Sequence, residues 1–316
     1  MRILVTGCCG FIGFHITAKL LKQKYKIIGI DNLNSYYDKK IKISRLKNLK
    51  KNKNFLFYKI DLNSNLQKIF KKKIDCVFNF AAQPGVRSSF LNPEKYLKNN
   101  IVAYFNLLEN CKKYHIKKII TASSSSVYGN TKHLPSGETN KLNPENFYAL
   151  TKCSNEQMSE FYSRVFNLNI TSLRYFTVFG PYGRPDMLMW KLCRNIFFND
   201  KIYIHNFGKH KRDFTYIDDA VNMTLKVFRD KNLKNHNIFN ICNSKPISLK
   251  NILKIFNDYK KLNNIKHITF QRGEVKDTYG SSVKFEKYFK KIKRTNLEKS
   301  INLTIESFKN YYKIKK

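Results

Sequence analysis

The chain has 316 residues, of which 42% are hydrophobic and 14% aromatic, so it can fill the core of one two-lobed protein or two closely packed domains. This composition excludes a largely disordered chain. The formal net charge of +38 raises nucleic acid or an anionic membrane as partners. However, the lysines are spread along the whole chain, with no zinc-finger spacing, basic heptad segment or aromatic RNA-binding signature. We therefore predict no specific nucleic-acid partner.

Seven cysteines are scattered along the chain, without a C-x-x-C pair and without histidines at zinc-ligand spacing. Free buried thiols in a reducing compartment are therefore expected, and no metal site is predicted. The amino terminus runs directly into an apolar strand without a signal-peptide pattern. No apolar run reaches membrane-spanning length. These features predict a cytoplasmic protein with no membrane partner.

The first half of the chain alternates apolar runs with amphipathic segments, which is the pattern of repeated strand–helix units. The predicted strands are residues 2–6, 26–30, 55–60, 75–82 and 118–122. One predicted helix follows a glycine-rich loop at residues 7–13, another spans residues 97–114, and a third carries Tyr148. Residues 39–54 are rich in Lys and Asn, and we predict a solvated helix or loop there.

After a strand that ends near Tyr175, the alternation breaks. Loop-like residues 182–187, a helix at 189–198, a short strand within 208–219 and an apolar strand at 237–243 follow. The predicted fold is α/β, a doubly wound parallel sheet with its ligand at the carboxyl ends of the strands, and a smaller C-terminal α/β domain. The dinucleotide-binding domain is predicted to span residues 1–176 with a returning segment at about 214–243. Residues 177–213 and 244–316 form the second predicted domain.

Glycines at positions 7, 10 and 13 lie between the first strand and its helix. This spacing lets the backbone turn tightly and approach a pyrophosphate at the helix N-terminus. The second strand ends at Asp31, where an acidic side chain can bond the ribose hydroxyls of a dinucleotide and disfavour a 2′-phosphate. The sequence therefore predicts NAD rather than NADP.

Tyr148 and Lys152 are four residues apart on a predicted helix, so their side chains share one face. A nearby ammonium favours the phenolate and lowers the pKa of a tyrosine, which makes the pair a candidate proton-transfer unit. A run of four serines at residues 123–126 precedes the pair in the sequence.

In this order and spacing, the glycine triplet, Asp31, the serine run and the Tyr148–Lys152 pair resemble the extended short-chain dehydrogenase/reductase family over nearly the whole chain. Longer local matches are residues 31–38 (DNLNSYYD), 81–87 (AAQPGVR), 123–129 (SSSSVYG), 174–186 (RYFTVFGPYGRPD) and 212–219 (RDFTYIDD). Within the family they are similar to the epimerases of nucleotide sugars, which are homodimers.

The resemblance implies that Tyr148 takes the proton of a sugar 4-hydroxyl, that Lys152 lowers the pKa of Tyr148 and holds the nicotinamide ribose, and that Ser124 bonds the reacting oxygen. Bound NAD accepts the C4 hydride and returns it to the opposite face of a 4-keto sugar. The implied NAD-binding residues are Gly7, Gly10, Phe11, Ile12, Gly13, Asp31, Asn32, Asp61, Leu62, Phe80, Ala81, Ala82, Gln83, Asn99, Tyr148, Lys152 and Tyr175.

The substrate expected from the resemblance is a UDP-hexuronate, UDP-glucuronate being converted to UDP-galacturonate. Ser125 and Ser126 occupy positions where related dehydratases and decarboxylases carry carboxylates, and their hydroxyls can bond a C6 carboxylate. Thr177 replaces the Asn of galactose epimerases, and Arg184 offers a bidentate fork. Alternatively, Thr177 only packs and Arg184 pairs with Asp186. A neutral substrate, UDP-glucose or UDP-N-acetylglucosamine, is the main alternative.

The nucleotide end of the substrate is assigned by the same resemblance. Arg212 is the expected diphosphate ligand, with Arg87 as a second candidate, while Gln271 and Glu274 are expected at the uridine ribose. The helix at residues 97–114 and the one with Tyr148 are expected to pair across a homodimer axis. A non-catalytic dinucleotide sensor or nucleic-acid-binding protein is the remote alternative, and such a protein would not need Ser124, Tyr148 and Lys152 together.

Overall fold

The computed structural model of the protein describes residues 1–269 and 275–315. Its main element is a seven-stranded parallel sheet in the order β10–β6–β5–β4–β1–β2–β3. These strands are β1 (Arg2–Thr6), β2 (Lys26–Ile30), β3 (Phe55–Tyr58), β4 (Cys76–Asn79), β5 (Lys118–Ser124), β6 (Asn169–Tyr175) and β10 (His236–Ile241). The chain leaves β1 for β2 on one side and returns to β4 on the other, which creates the switch point where such sheets bind ligands.

Helices cover both faces of this sheet, which is why its central strands are apolar along their whole length. Ile3, Leu4 and Val5 of β1 are all fully buried, and they divide between two large apolar clusters on opposite faces. The flanking helices are α1 (Phe11–Lys22), α2 (Lys39–Lys50), α3 (Gln67–Phe70), α4 (Ser88–Leu91), α5 (Pro93–Tyr96), α6 (Ala103–Lys113), α7 (Phe147–Phe166) and α9 (Ile217–Arg229). The predicted doubly wound sheet is confirmed.

The remaining elements form smaller sheets beside the carboxyl ends of the main strands. Strand β9 (Lys211–Tyr216) pairs in parallel with β7 (Thr177–Phe179) and antiparallel with β11 (Pro246–Ser248), whereas β12 (Ile265–Ile268) pairs with β8 (Ile202–His205). Helices α8 (Leu188–Phe198), α10 (Leu249–Tyr259), α11 (Val283–Phe289) and α12 (Leu297–Tyr312) pack around them. As predicted, β10 returns to the main sheet beside β6.

Two sequence expectations need correction. Residues 39–54 are not simply solvated, because Lys42 and Arg45 of α2 are 6% and 0% exposed beside apolar Ile41 and Leu49. The helix predicted at residues 97–114 is interrupted, since Leu97–Val102 form a π-helical segment between α5 and α6. A π-helical turn adds a residue to the helix and changes which side chains share a face.

All seven cysteines are buried free thiols, as the sequence predicts. Within residues 1–269 and 275–315, no helix combines the length and the apolar character required to cross a bilayer.

Candidate active site

The carboxyl ends of the parallel strands open into one large cavity of about 1220 Å³, which the smaller sheets close from the other side. Every predicted site residue that the structure describes lines this cavity. Gln271 and Glu274, which were assigned to the uridine ribose, lie outside the described residues.

The glycine loop forms a close backbone cradle at one end of the cavity. Gly7 has φ +65°, and a Cβ there would lie 2.7 Å from the backbone nitrogen of Ala81. A Cβ at Gly13 would lie 2.2 Å from the carbonyl oxygen of Gly7, so α1 can pack this closely only without a side chain. The N-terminus of α1 therefore faces the cavity with backbone N–H groups free for a phosphate, and this geometry fits the pyrophosphate of NAD.

Asp31 lies at the end of β2 beside this cradle. Its carboxylate accepts hydrogen bonds from the backbone N–H groups of Cys9 at 3.1 Å and Leu33 at 2.8 Å. A carboxylate has about four acceptor sites, so further sites remain for ribose hydroxyls. Asn32 next to it donates to the Asp61 carboxylate at 2.6 Å, which joins the ends of β2 and β3. These residues fit the adenosine half of NAD.

The loop after β4 is fixed by Asn100, a residue that sequence reasoning missed. Its side chain accepts from the N–H of Gln83 at 2.7 Å and donates to the carbonyl of Gln83 at 3.1 Å and to the hydroxyl of Thr151 at 3.0 Å. The predicted Asn99 lines the cavity and donates to the carbonyl of Lys95. The π-helical turn lets two consecutive asparagines act in different places, and the Asn-Asn pair was the only sequence signal.

Helix α7 positions the Tyr148–Lys152 pair. It begins at an N-cap, Asn146, whose side chain accepts from the N–H of Ala149 at 2.9 Å and so satisfies one of the free donors of the first turn. Tyr148 is half-buried, and Lys152 is 4% exposed with its Nζ 6.0 Å from the Tyr148 ring centre. Lys152 donates to the carbonyl oxygen of Ala122 at the end of β5, at 2.7 Å.

Burial sets the ionisation of both groups in this arrangement. Burial lowers the pKa of Lys152 to about 8, although the Glu156 carboxylate one turn away acts in the opposite direction and raises it. Burial raises the pKa of Tyr148, while the hydroxyl of Ser124 and the charge of Arg184 lower it. The chain alone therefore holds Tyr148 as a neutral phenol at pH 7, because desolvation of the phenolate outweighs the favourable neighbours.

The serine run turns from β5 into a short 3₁₀ helix, Ser125–Tyr128, at the cavity wall. The Ser124 hydroxyl accepts from the backbone N–H of Ser126 at 3.2 Å and donates to the hydroxyl of Ser126 at 3.1 Å. This cap keeps three consecutive serines at the wall of the cavity that Tyr148 and Thr177 also line. These positions carry no carboxylate.

Arg184 lines the cavity, and its guanidinium is already bonded to a carboxylate. Its Nε and Nη2 donate to the two carboxylate oxygens of Asp186 at 3.0 and 2.5 Å, so the local pairing that the sequence left open is the one observed. The phenol of Tyr36, from the loop after β2, lies next to both, with its ring centre 5.9 Å from the Arg184 guanidinium carbon. A Cβ at Gly85, where φ is +103°, would lie 2.0 Å from the Tyr36 hydroxyl oxygen. Sequence reasoning did not assign Tyr36 to the site.

The two arginines assigned to the diphosphate also line the cavity. Arg212 donates to the carbonyl oxygens of Val275 at 2.6 Å and Lys276 at 2.7 Å, which fixes the segment that follows the undescribed residues. Arg87 lies 2.8 Å from Nε2 of His205 at the end of β8. Both side chains therefore connect segments that border the same end of the cavity.

The parallel fold, the glycine cradle and the Ser–Tyr–Lys group define a dinucleotide-dependent enzyme of the Rossmann type. The model of the NAD dependent epimerase/dehydratase family matches residues 3–242. The chain therefore belongs to this family.

Related proteins resemble the chain over its full length. A UDP-glucuronate 4-epimerase of Thermodesulfobacterium geofontis is 37% identical, with 96% of this chain and 94% of the relative covered. A structure of a UDP-glucuronic acid 4-epimerase from Bacillus cereus with UDP-glucuronic acid and NAD superposes with a TM-score of 0.93 at 33% identity, covering 99% of this chain and all of the other. A UDP-glucose 4-epimerase from Thermotoga maritima gives 0.88 at 30% identity, covering 99% of this chain and all of the other.

Proposed function

We propose that the chain catalyses the NAD-dependent 4-epimerisation of UDP-glucuronate to UDP-galacturonate through a transient 4-keto sugar nucleotide. The observation that carries this proposal is the wall of hydroxyls at Ser124, Ser125 and Ser126, which lines the same cavity as Tyr148 and carries no carboxylate. Full-length relatives with this activity support it, as does the neighbour that holds UDP-glucuronic acid and NAD.

In this proposal Tyr148 is the base for the sugar 4-hydroxyl, and Ser124 bonds the same oxygen. Lys152 keeps its position because the carbonyl oxygen of Ala122 accepts one of its hydrogen bonds, and its ammonium would bond the nicotinamide ribose and favour the Tyr148 phenolate as the proton moves. The cradle at Gly7 and Gly13 and the carboxylate of Asp31 would hold NAD, which when bound supplies the hydride acceptor at C4. The chain therefore contributes orientation and proton transfer.

Neutral hydroxyls suit a substrate that brings its own carboxylate. Ser125, Ser126 and Thr177 can each donate a hydrogen bond to the C6 carboxylate, whereas a Glu or Asp at these positions would repel it. Arg184 contributes positive charge close by, although Asp186 already engages its fork. The hydroxyls are therefore the primary ligands in this proposal, and Arg184, whose charge Asp186 offsets, is a secondary one.

The nucleotide is assigned to the part of the cavity formed by residues 177–213 and 244–316, the proposed substrate domain. Arg212 and Arg87 are proposed to face the diphosphate, which their positions on the cavity wall support. Gln271 and Glu274 remain proposed ligands of the uridine ribose. The 1–176 segment, with the return through β10, is the proposed NAD-binding domain.

A neutral UDP-hexose is the second candidate, because a UDP-glucose 4-epimerase shares the fold over the whole chain. The 6-hydroxyl of a neutral sugar can bond one or two of these hydroxyls, whereas a carboxylate has about four acceptor sites and can use all three donors, so the uronate is favoured.

We further propose that the protein is a cytoplasmic homodimer. Apolar side chains are 44–49% exposed in a stripe along α7 (Leu150, Phe161, Val165) and along the neighbouring 97–113 helix (Leu97, Val102, Phe105). Two copies could bury these stripes as a four-helix interface. The free buried thiols suit a reducing compartment.

The test is incubation of the purified protein with UDP-glucuronate and no added NAD, followed by anion-exchange chromatography and proton NMR. Formation of UDP-galacturonate, with UDP-glucose left unchanged, is the expected result. Conversion of UDP-glucose or UDP-N-acetylglucosamine instead would contradict the assignment of the hydroxyl wall. DNA retention that salt abolishes, in a protein without NAD and without turnover, would favour the non-catalytic alternative.

A further inference from the structure

Arg45 is fully buried in the middle of α2, although four of the five lysines of this helix are exposed. It forms no ion pair with any residue that the structure describes. A buried guanidinium without a carboxylate is costly, because its lost hydration is repaid only by neutral acceptors. Neither the catalytic group nor the cofactor cradle accounts for its presence.

The hydrogen bonds of Arg45 join two loops from different parts of the chain. Its Nη1 donates to the carbonyl of Cys9 in the glycine loop at 2.9 Å and to the hydroxyl of Tyr37 at 2.8 Å. Its Nη2 donates to the carbonyls of Tyr182 at 2.6 Å and Gly183 at 3.1 Å. The planar guanidinium fixes the angle between these donors, so the glycine loop and residues 182–183 are held at a set separation.

Residues 180–186, which we call the arginine arm, carry Arg184 to the cavity wall. Tyr182 in this arm has φ +53°, a left-handed conformation that is unfavourable for a bulky aromatic residue. Its carbonyl is held by Arg45, and its hydroxyl accepts from Asn48, one turn further along α2. Helix α2 therefore holds the arm in a strained conformation immediately before Arg184.

We propose that Arg45 is a positioning residue that fixes the arginine arm, and with it Arg184, relative to the dinucleotide loop. Displacing a charged group by about 1 Å from its ligand can cost roughly 100-fold in rate or binding, so a rigid connection between cofactor and substrate sides is valuable. The proposal rests on the proposed function only for the identity of the sugar that Arg184 faces.

A lysine cannot replace this arginine. Its ammonium donates from a single point, whereas Arg45 uses two separate nitrogens to reach Cys9 on one side and the arm on the other. Arg45→Lys therefore keeps the buried charge and most of the volume while breaking the connection between the loops.

A purely structural role would give a loss of stability without a specific effect on the arm. The matched control is Lys118→Met at the amino end of β5, away from the cavity. Lys118 is a half-buried cation that also donates to a backbone carbonyl, that of Asp230 at 2.6 Å. Its removal should lower the melting temperature and leave the arm unchanged.

The experiment compares amide hydrogen exchange and kinetics of the wild type, Arg45→Lys and Lys118→Met, each as purified holoenzyme. In Arg45→Lys, exchange in a peptide covering the arginine arm should be faster by about tenfold or more. The KM for UDP-glucuronate should rise by about tenfold while kcat changes by less than about threefold, because Tyr148 and Lys152 are not displaced.

Unchanged exchange in the arm, or an equal KM rise in Lys118→Met, would overturn the proposal. If Arg45→Lys does not fold, Arg45→Met removes the buried charge together with all four hydrogen bonds, and unchanged exchange in the arm of that variant has the same meaning. If the wild type converts only neutral UDP-sugars, the proposed function fails, while the exchange comparison still decides the role of Arg45.

Discussion

Glu156 and Arg174 form a bidentate ion pair behind the active site, with Nε donating to Oε1 at 2.9 Å and Nη2 donating to Oε2 at 2.7 Å. The two side chains are 4% and 2% exposed. Glu156 lies one turn after Lys152 on α7 and also accepts from the hydroxyl of Ser123 at 2.5 Å. The pair thus joins the helix of Tyr148 to β6, and the bond from Ser123 joins the same carboxylate to β5, the strand that delivers Ser124.

Replacing Glu156 with Gln should destabilise the protein by about 3 kcal/mol, because it leaves the Arg174 charge buried without its partner. The melting temperature should fall by roughly 4–5 °C. Glu160→Gln is the control, since Glu160 is 59% exposed one turn further along α7 and pairs only at the surface with His236. An equal loss of unfolding free energy in the two variants would show that the buried pair stabilises the protein no more than the surface pair does.

Tyr148→Phe tests the proposed base. The phenol oxygen is the only group removed, and its hydrogen-bond partners lie in a cavity that water can refill, so fold and NAD content should match the wild type. Turnover should fall by about 100-fold to 10,000-fold, the usual contribution of a general base. The fold is checked by calorimetry, the NAD content by the absorbance of the released cofactor, and the turnover by the epimerisation rate. A variant with near-normal turnover would exclude Tyr148 as the base.

The pH dependence follows from the opposite effects of burial on Tyr148 and Lys152. The reactive form needs the Tyr148 phenolate, whose pKa is raised, and the Lys152 ammonium, whose pKa is lowered to about 8. Below pH 8 the phenolate fraction grows about tenfold per pH unit while the ammonium is intact. Above pH 8, the fraction of Lys152 that is still an ammonium falls about tenfold per pH unit, which cancels the growth of the phenolate fraction. The value of kcat/KM should therefore rise up to about pH 8 and then level off.

Lys152→Arg separates the two titrations. Arginine stays charged throughout this range, so in this variant the rate, although lower, should continue to rise beyond pH 8. The measurement is kcat/KM from pH 6 to pH 9.5 for both proteins. A break at the same pH in the variant would assign the levelling to a group other than Lys152.

Ser125→Asp tests the hydroxyl wall as the site of the substrate carboxylate. A carboxylate there should repel a uronate and raise its KM by roughly tenfold or more. Ser125→Asn, which is similar in size but neutral, is the matched control and should change the KM by less than about threefold. Binding of UDP alone, measured by calorimetry, should be equal in all three proteins because UDP lacks the sugar carboxylate. A tenfold loss of UDP affinity in the Asp variant would contradict the assignment.

The proposed dimer can be broken at its apolar stripes. Phe105→Glu and Phe161→Glu introduce charges on the 97–113 helix and on α7, where the side chains are 49% and 48% exposed. Light scattering after size-exclusion chromatography should change from a dimer mass to a monomer mass. Val283→Glu on α11, at a 73% exposed position, should leave the dimer intact. A dimer that survives both phenylalanine substitutions would place the interface elsewhere.

The sequence by itself determined the features that depend on local spacing. Glycines 7, 10 and 13 between a strand and a helix, and Asp31 at the end of the next strand, follow from backbone geometry over about 25 residues. The shared face of Tyr148 and Lys152 follows from the helical repeat. The parallel sheet also followed from the sequence, because fully apolar strands alternating with helices allow little besides such a sheet.

Only the tertiary structure decided what the long polar side chains contact. Arg45 lies in the lysine-rich helix α2, which the sequence predicts to be solvated, yet two of its partners, Cys9 and Tyr182, are 36 and 137 residues away. The pairing of Arg184 with Asp186 was one of two possibilities, and the role of Asn100 beside Asn99 depended on a π-helical turn. The hydrogen-bond partners of a long charged side chain depend on which distant segments the fold brings next to it. Local spacing carries no information about those segments, so the sequence alone does not predict these contacts.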